Sequence, residues 1–358
     1  AAAASGSRVA WSEGSRVWVS RGEGPREVGG TLDGVRALAW QGEVLWALDA
    51  TGLHRAGSTE LPWRRSMDQT DDLIAMAGGP SSLWLVRGDG FILQPDRPLC
   101  PSPWTSQPGS LREPRGLAVS SAGWFAVADT ANHRVLWYSD AGLCLDSVGS
   151  EGTGSREFRE PSGVALAADG SLAVADTWNG RIQVLRPNGV TEVFGRNLFG
   201  PRDLMWAPDG SLLVSDTGNK KLLRFTPPDW EGDVVAMLPA PPVGLAWAGG
   251  LIAVAVPAEG ALLLVDGSNG EITRRIELRC WNTLDQQEGY LALLPSGELV
   301  ASSPHYGELW VVDPTEEEPQ RLLQDGLPGV TAVALTPFGD LIASLTWEHR
   351  LVKVPVEP

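Results

Sequence analysis

Lysine is almost missing from this chain. Of its 28 basic residues only Lys220, Lys221 and Lys353 are lysines, and 44 acidic residues bring the formal net charge to −16. A surface so acidic repels phosphate backbones, which excludes nucleic acid as a default partner. Cysteine is scarce as well. Cys100, Cys144 and Cys280 are widely separated and odd in number, so they form neither a zinc knuckle nor a disulfide framework, and one disulfide between two of them stays open. No apolar run approaches the roughly 18 to 20 residues that a membrane-spanning helix needs; the stretch around Leu262 to Val265 is strand-sized. The start, "AAAASGS", lacks a basic region and an apolar core, so no signal peptide is expected there and residues 1–7 read as a flexible segment. Compartment is left undetermined. Apolar residues nowhere recur with the 3.6-residue period of a helix stripe, which leaves an all-β chain.

The sequence is rich in turn-formers and tryptophan: 42 glycines, 27 prolines and 16 tryptophans, with 43% hydrophobic and 20% charged residues, a globular composition. Three segments repeat. "PRGLAVSSAGWFAVADTANHRVLWY", "PSGVALAADGSLAVADTWNGRIQVL" and "PRDLMWAPDGSLLVSDTGNKKLLRF" start at Pro114, Pro161 and Pro201, 47 and then 40 residues apart (161 − 114 and 201 − 161). Each reads as a turn, a short apolar strand, a Gly-containing turn, a strand ending in Asp-Thr, a polar corner and a third strand. A period of about 40 to 50 residues with four strands per unit predicts a β-propeller of four-stranded blades. The cluster Asp129, Asn132, His133, Arg134 would pass for a catalytic group on its own. Its recurrence as Asp176, Asn179, Gly180, Arg181 and as Asp216, Asn219, Lys220, Lys221 makes it a hairpin corner, in which Asp and Asn cap backbone N–H groups.

An apolar-small-apolar triplet marks each inner strand: 38–40, 74–76, 117–119, 164–166, 204–206, 245–247, 291–293 and 333–335, with Met205 as the exception in the middle position. Eight triplets predict eight blades in one domain spanning 8–358, with seven or nine as alternatives. Strands are expected at Arg8–Ser12, Arg16–Ser20 and Pro25–Gly29 and, at the other end, Thr331–Thr336, Asp340–Thr346 and Arg350–Val356. Pairing of terminal strands would close the ring and remove a sheet edge. Three strands from each end are two too many for one blade, however.

The units over residues 114–160, 161–200 and 201–240 resemble the NHL repeat, most closely in "GVALAADGSLAVADTWNGRIQVL" and the preceding "GSEGTGSREFREP". His133 stands at the motif's histidine, whereas positions 180 and 220 hold Gly and Lys. The resemblance implies a propeller with two functional classes besides plain binding. Some members are lyases or lactonases that use His and acidic residues around a metal at the channel mouth, and some bind RNA.

In a four-stranded blade the start of the inner strand and the corner between the second and third strands share one rim, where propellers hold ligands. Arg36, Arg115 and Arg202 occupy equivalent positions there, with Asp72 opposing them, and convergent arginines suit a carboxylate or phosphate. Pairing of each with a nearby acidic corner is the alternative. Trp178, in a polar corner, is the boldest candidate for partner contact among the loop tryptophans Trp63, Trp104, Trp178, Trp230 and Trp281. His305 lies on the same rim, as do His54, His133 and His349, but all at its periphery, so no three-His metal site is expected. No Ser-His-Asp order, nucleophile elbow or phosphate loop is present, and no cofactor is expected. The sequence therefore predicts a binding propeller that presents rim loops to a protein or small ligand. A lyase or lactonase-like hydrolase is the alternative. RNA binding, hinted at only by Lys220, Lys221 and Phe225, is disfavoured by charge.

Overall fold

In the computed structural model the chain divides into two compact units, Ala1–Leu99 and Cys100–Pro358. The structure describes residues 111–356 apart from 141, 143, 249, 282–287 and 317–319, and, before residue 100, the strands given below with Leu32, Val35, Arg36 and Asp49.

The first unit holds three antiparallel sheets. One joins Ala2–Ser5, Arg8–Glu13, Arg16–Ser20 and Pro25–Val28; a second joins Ala37–Gln41, Val44–Leu48, Leu53–Ala56 and Arg64–Met67. The third joins Leu73–Gly78, Leu83–Arg87 and Ile92–Leu93. Ala10, Val17, Leu38, Trp40, Leu45 and Ala47 form its described core. Residues 2–5, expected to be part of a flexible segment, are paired with residues 8–11.

Among the described residues the second unit holds six antiparallel sheets, five of four strands and one of three. Their inner strands are Pro114–Val119, Val164–Leu166, Pro201–Trp206, Leu245–Ala248, Leu291–Leu293 and Val330–Leu335, and they begin blades 1 to 6. No α-helix occurs among the described residues, only four short 3₁₀ turns, at the corners of blades 1, 2, 4 and 6. The second strand of each blade is buried along nearly its whole length and mostly apolar because it is covered on both faces. In blade 1, Phe125 and Val127 pack against Ile342 and Leu351 of blade 6, whereas Ala126 and Ala128 pack against Val164, Leu172 and Val174 of blade 2. The same division holds in blade 2, where Leu172 and Val174 face blade 1 while Ala173 and Ala175 face blade 3. Period-2 alternation thus survives as large against small rather than apolar against polar.

Eight blades in one ring is corrected to six, and the contacts between blades give the reason. The corner of blade 1 sends the Thr130 hydroxyl to the Pro161 carbonyl of blade 2 (2.8 Å), and blade 2 sends Thr177 to Pro201 (2.9 Å). Blade 6 sends Thr346 to Pro114 of blade 1 (2.7 Å). Likewise His133 Nδ1 accepts the Glu160 N–H (3.1 Å), and His349 Nδ1 accepts the Glu113 N–H (3.1 Å). Blade 6 therefore meets blade 1 as blade 1 meets blade 2, and no place is left for further blades. All eight triplets do begin strand pairs, but those at 38–40 and 74–76 belong to sheets of the first unit. The surplus terminal strands have the same explanation: residues 2–28 make a sheet of their own. Pairing between the two chain ends is not found among the described residues, where the last sheet consists of Val330–Leu335, Leu341–Leu345 and Arg350–Val354.

Each NHL-like corner is organised by a buried carboxylate. Asp176, with no exposed surface, accepts from the Arg159 N–H (2.7 Å), Asn179 Nδ2 (3.0 Å), Arg181 Nε (2.6 Å) and Gln183 Nε2 (3.1 Å). Arg181 then donates to the carbonyls of Thr153 (2.6 Å) and Gly154 (2.7 Å), fixing the preceding loop. Asp129 repeats this with Arg112, Asn132 and Arg134, and Asp216 with Phe199 and Asn219. His133 ends its corner in the left-handed region (φ 56°), where blade 2 has Gly180 (φ 60°). It is a turn residue, not a base.

Two outcomes are expected. Asp176→Ala leaves the buried Arg181 without its partner and should cost about 3–5 kcal/mol in urea unfolding. Asp140→Ala, which breaks a more exposed pair with Lys353 (2.6 Å), should cost under about 1 kcal/mol; equal losses would refute the distinction. Deleting residues 1–30 should leave amide exchange protection of blades 1 to 6 unchanged, and loss of protection there would restore closure through the N-terminal strands.

Candidate functional site

The inner strands of all six blades line a central channel of about 460 Å³. Most of the side chains that line it are apolar, with Leu117, Val164, Leu204, Leu291 and Val333 among them, and Asp203 and Tyr290 add polar groups. The residues that precede each inner strand ring its mouth, and at this point the blades crowd. A Cβ on Gly116 would lie 2.3 Å from the Ser162 carbonyl oxygen, and one on Gly163 would lie 2.6 Å from that of Arg202. Blades 1, 2 and 4 accordingly have glycine here (Gly116, Gly163, Gly244), whereas blades 3 and 5 have Asp203 and Tyr290.

Asp203 uses the crowding to bond across blades. Its Oδ2 accepts the Leu245 N–H of blade 4 (2.8 Å) and its Oδ1 accepts the Leu204 N–H (2.9 Å). Tyr290, also buried, donates its hydroxyl to the Arg202 carbonyl (3.3 Å). Burial raises the Tyr290 hydroxyl pKa first, then the charges of Asp203 and Glu288, against the lowering influence of Arg202 and Arg115. Four charged groups of the mouth therefore act on the Tyr290 hydroxyl.

Arg115 of blade 1 and Arg202 of blade 3 converge on a single acceptor, Oε1 of Glu288 at the start of blade 5. Arg202 Nη1 approaches it at 2.8 Å and Arg115 Nη1 pairs with the same atom. The three side chains are about one-fifth exposed. The sequence placed both arginines on this rim; the acidic group they find is one shared glutamate reaching from across the channel, not a corner Asp beside each. Two guanidinium groups repel each other unless an anion lies between them, and here a residue of the chain supplies it.

The other expected residues lie elsewhere. Arg36 belongs to the first unit, where Nη2 donates to the Asp49 carbonyl (2.9 Å) and Asp49 also meets His54 Nε2 (3.0 Å). Asp72, Trp63 and Trp104 fall outside the described residues. Trp178 is 63% exposed on the rim, its Nε1 donating to Glu160 (2.7 Å). His305 is exposed at the corner of blade 5, edge-on to Tyr306 at 5.0 Å. Trp230 and Trp281, expected beside loops, are buried: Trp230 stacks on Phe194 at 4.3 Å and Trp281 donates to the Ser302 carbonyl (2.8 Å). Phe225 is buried with Trp230 and Phe194, which removes the aromatic half of the basic stripe near Lys220. Cys280 is a free, buried thiol whose pKa burial pushes up to about 12, so it is a packing residue. Among the described residues no group of three His, Cys, Asp or Glu side chains is placed to hold a metal ion.

Sequence reasoning missed Glu288, Asp203, Tyr290 and the exposed Trp347. All four are visible in the aligned repeat. Glu288 stands where blades 1 to 4 have Pro114, Pro161, Pro201 and Pro242, Asp203 and Tyr290 stand at the glycine position, and Trp347 matches Trp178. Their signal is a departure from the repeat rather than a likeness to it.

Burial pushes the Asp203 carboxyl up to about 7, against the Leu245 and Leu204 hydrogen bonds, which favour the charged form. The folded state thus keeps a proton that the unfolded chain releases near pH 4. The resulting stabilisation is complete below about pH 4 and is lost as pH rises to about 7. Relative to Asp203→Asn, the wild type should lose up to about 1.4 kcal/mol per pH unit across that window. Urea unfolding at several pH values measures this, and parallel curves for the two proteins would contradict it.

The comparisons with known proteins bear on the ring. The NHL repeat family model matches residues 111–138 and 158–185. No curated protein matches the chain. Among solved structures, a streptogramin B lyase is similar with a TM-score of 0.55 and 13% identity, over 89% of this chain and 92% of that one. A virginiamycin B lyase from Staphylococcus aureus follows with a TM-score of 0.54 and 11% identity, over 90% and 95%. A gluconolactonase from Xanthomonas campestris has a TM-score of 0.54 and 17% identity, over 69% and 88%. At such identities the likeness concerns the fold alone. Residues 111–138 and 158–185 match the NHL repeat, and the six-bladed unit that contains them has the β-propeller fold.

Proposed function

We propose that the six-bladed unit is a ligand-binding propeller whose site is the mouth of its central channel and whose ligand is a small anion. The observation that carries this reading is the convergence of Arg115 and Arg202, from blades 1 and 3, on one carboxylate. A purely structural ion pair needs one arginine for one glutamate, whereas this arrangement gathers two positive groups at the opening of a cavity. The blades hold the arginines rigidly, so little ordering entropy opposes binding. The exposed rim aromatics Trp178, Phe199, Tyr306 and Trp347 surround that mouth and would receive a larger body attached to the anion, or a protein partner.

A second reading, lyase or lactonase-like chemistry at the same mouth, is favoured by Asp203. A buried carboxyl with a pKa near 7, lining the channel beside Tyr290, suits proton transfer at neutral pH. The similar structures include lyases and a gluconolactonase, a likeness of fold that agrees with this reading without carrying it.

Calorimetric titration with inorganic phosphate and with citrate, at constant ionic strength, tests the binding reading. Arg115→Ala and Arg202→Ala should each weaken binding about tenfold or more, the scale of a lost charge-assisted hydrogen bond; unchanged affinity in both variants would sink it. For the second reading, hydrolysis of a sugar δ-lactone should depend on pH with a break near 7 that Asp203→Asn removes. Turnover equal in both proteins would count against Asp203.

A further inference from the structure

We infer that Glu288 is a built-in stand-in for the ligand, and that the ligand is a carboxylate that displaces it from Arg115 and Arg202. This rests on the binding reading above and names its ligand class.

Two independent observations support it. The first concerns how Glu288 is held. Thr346, Thr130, Thr177 and Thr217 each pin the proline carbonyl that opens the next blade: Pro114, Pro161, Pro201 and Pro242. Blade 4 has Pro257 where those blades have threonine. It has no hydroxyl to give, and among the described residues no hydrogen bond reaches the Glu288 carbonyl. Proline and threonine are thus both replaced at this junction, as they are between blades 5 and 6 (Pro304 and Val330), but only here does the replacement put a charged side chain at the mouth. The start of blade 5 loses its backbone tether just where a side chain enters the mouth, so the arginine contact is what keeps Glu288 inward.

The second observation concerns the fit. Both guanidinium groups use only Nη1, and both address the same oxygen, Oε1. Among the described residues Oε2 has no partner, and Arg115 Nε is buried without one. The clamp therefore offers more donors than Glu288 satisfies. A free carboxylate, not constrained by a backbone, can bring both oxygens to the arginines side-on, the stronger geometry. It gains hydrogen bonds that Glu288 leaves unmade, and Glu288 turns out to solvent.

The test is replacement of the stand-in. Glu288→Ala removes the resident carboxylate and leaves a gap that acetate fits. Acetate should raise the melting temperature of Glu288→Ala by several degrees beyond chloride at equal ionic strength, with no such difference in the wild type. By calorimetry acetate should bind the variant at least tenfold more tightly than the wild type, and Arg115→Ala added to Glu288→Ala should abolish the gain. If Glu288→Ala does not fold, Glu288→Gln keeps the shape without the charge and should still bind acetate several-fold more tightly than the wild type. Equal, arginine-dependent acetate binding in wild type and variant would overturn the role of Glu288 while leaving the anion site standing. Arginine-dependent binding of inorganic phosphate with none of acetate would overturn the carboxylate class alone. No binding of either anion, with the arginine variants silent, would overturn both proposals.

Discussion

The second unit depends on a buried aspartate placed once per NHL-like blade. Asp129, Asp176 and Asp216 each close the corner between two strands and also accept the N–H of a residue that precedes the same blade's inner strand. A carboxylate taken out of water persists only with all its partners in place. That requirement locks the corner to the start of the blade, and both to the rim. In blades 1 to 3, which carry Arg115 and Arg202, the rim is therefore held by a network satisfied inside the blade.

A rim so held can tolerate departures from the repeat at the axis, and three of those in this propeller bring polar side chains. Asp203 replaces a glycine and substitutes a carboxylate bond to Leu245 N–H for the backbone contact that Gly116 makes with the Ser162 carbonyl (2.8 Å). Tyr290 replaces another glycine and reaches the Arg202 carbonyl. Glu288 replaces a proline and spans the mouth to two arginines. All three gather where the inner strands converge, so a change in three side chains gives an otherwise apolar channel a charged opening. The rest of the ring stays regular, and regularity is what keeps those groups in place.

The histidines show how one residue type can be read in two ways until its neighbours are known. His133 and His349 carry chemistry in many proteins, yet both here accept a backbone N–H from the next blade and sit in a left-handed corner. Tryptophan behaves likewise. Trp230 and Trp281 are buried beneath loops, whereas Trp178 and Trp347 stand free at equivalent corners.

The sequence by itself determined what is local and periodic. The strand at residues 16–20, the strand expected at 350–356 and found at 350–354, the Asp-Thr corners and the shared rim follow from patterns a few residues long, because pleat and turn chemistry are set by near neighbours. It also contained Asp203, Glu288 and Tyr290 as breaks in an aligned repeat. Only the tertiary structure decided the number of blades in the ring, since that depends on whether Thr346 and His349 reach residues 113 and 114, more than two hundred positions away. The partner of Arg115 was decided in the same way. Glu288 is 173 residues distant in the chain and adjacent in space only because blades 1, 3 and 5 point their first residues at one axis. The Glu288 contact leaves no periodic trace because it occurs once, and the Thr346 contact, though it repeats from blade to blade, does not reveal in sequence which blade it reaches.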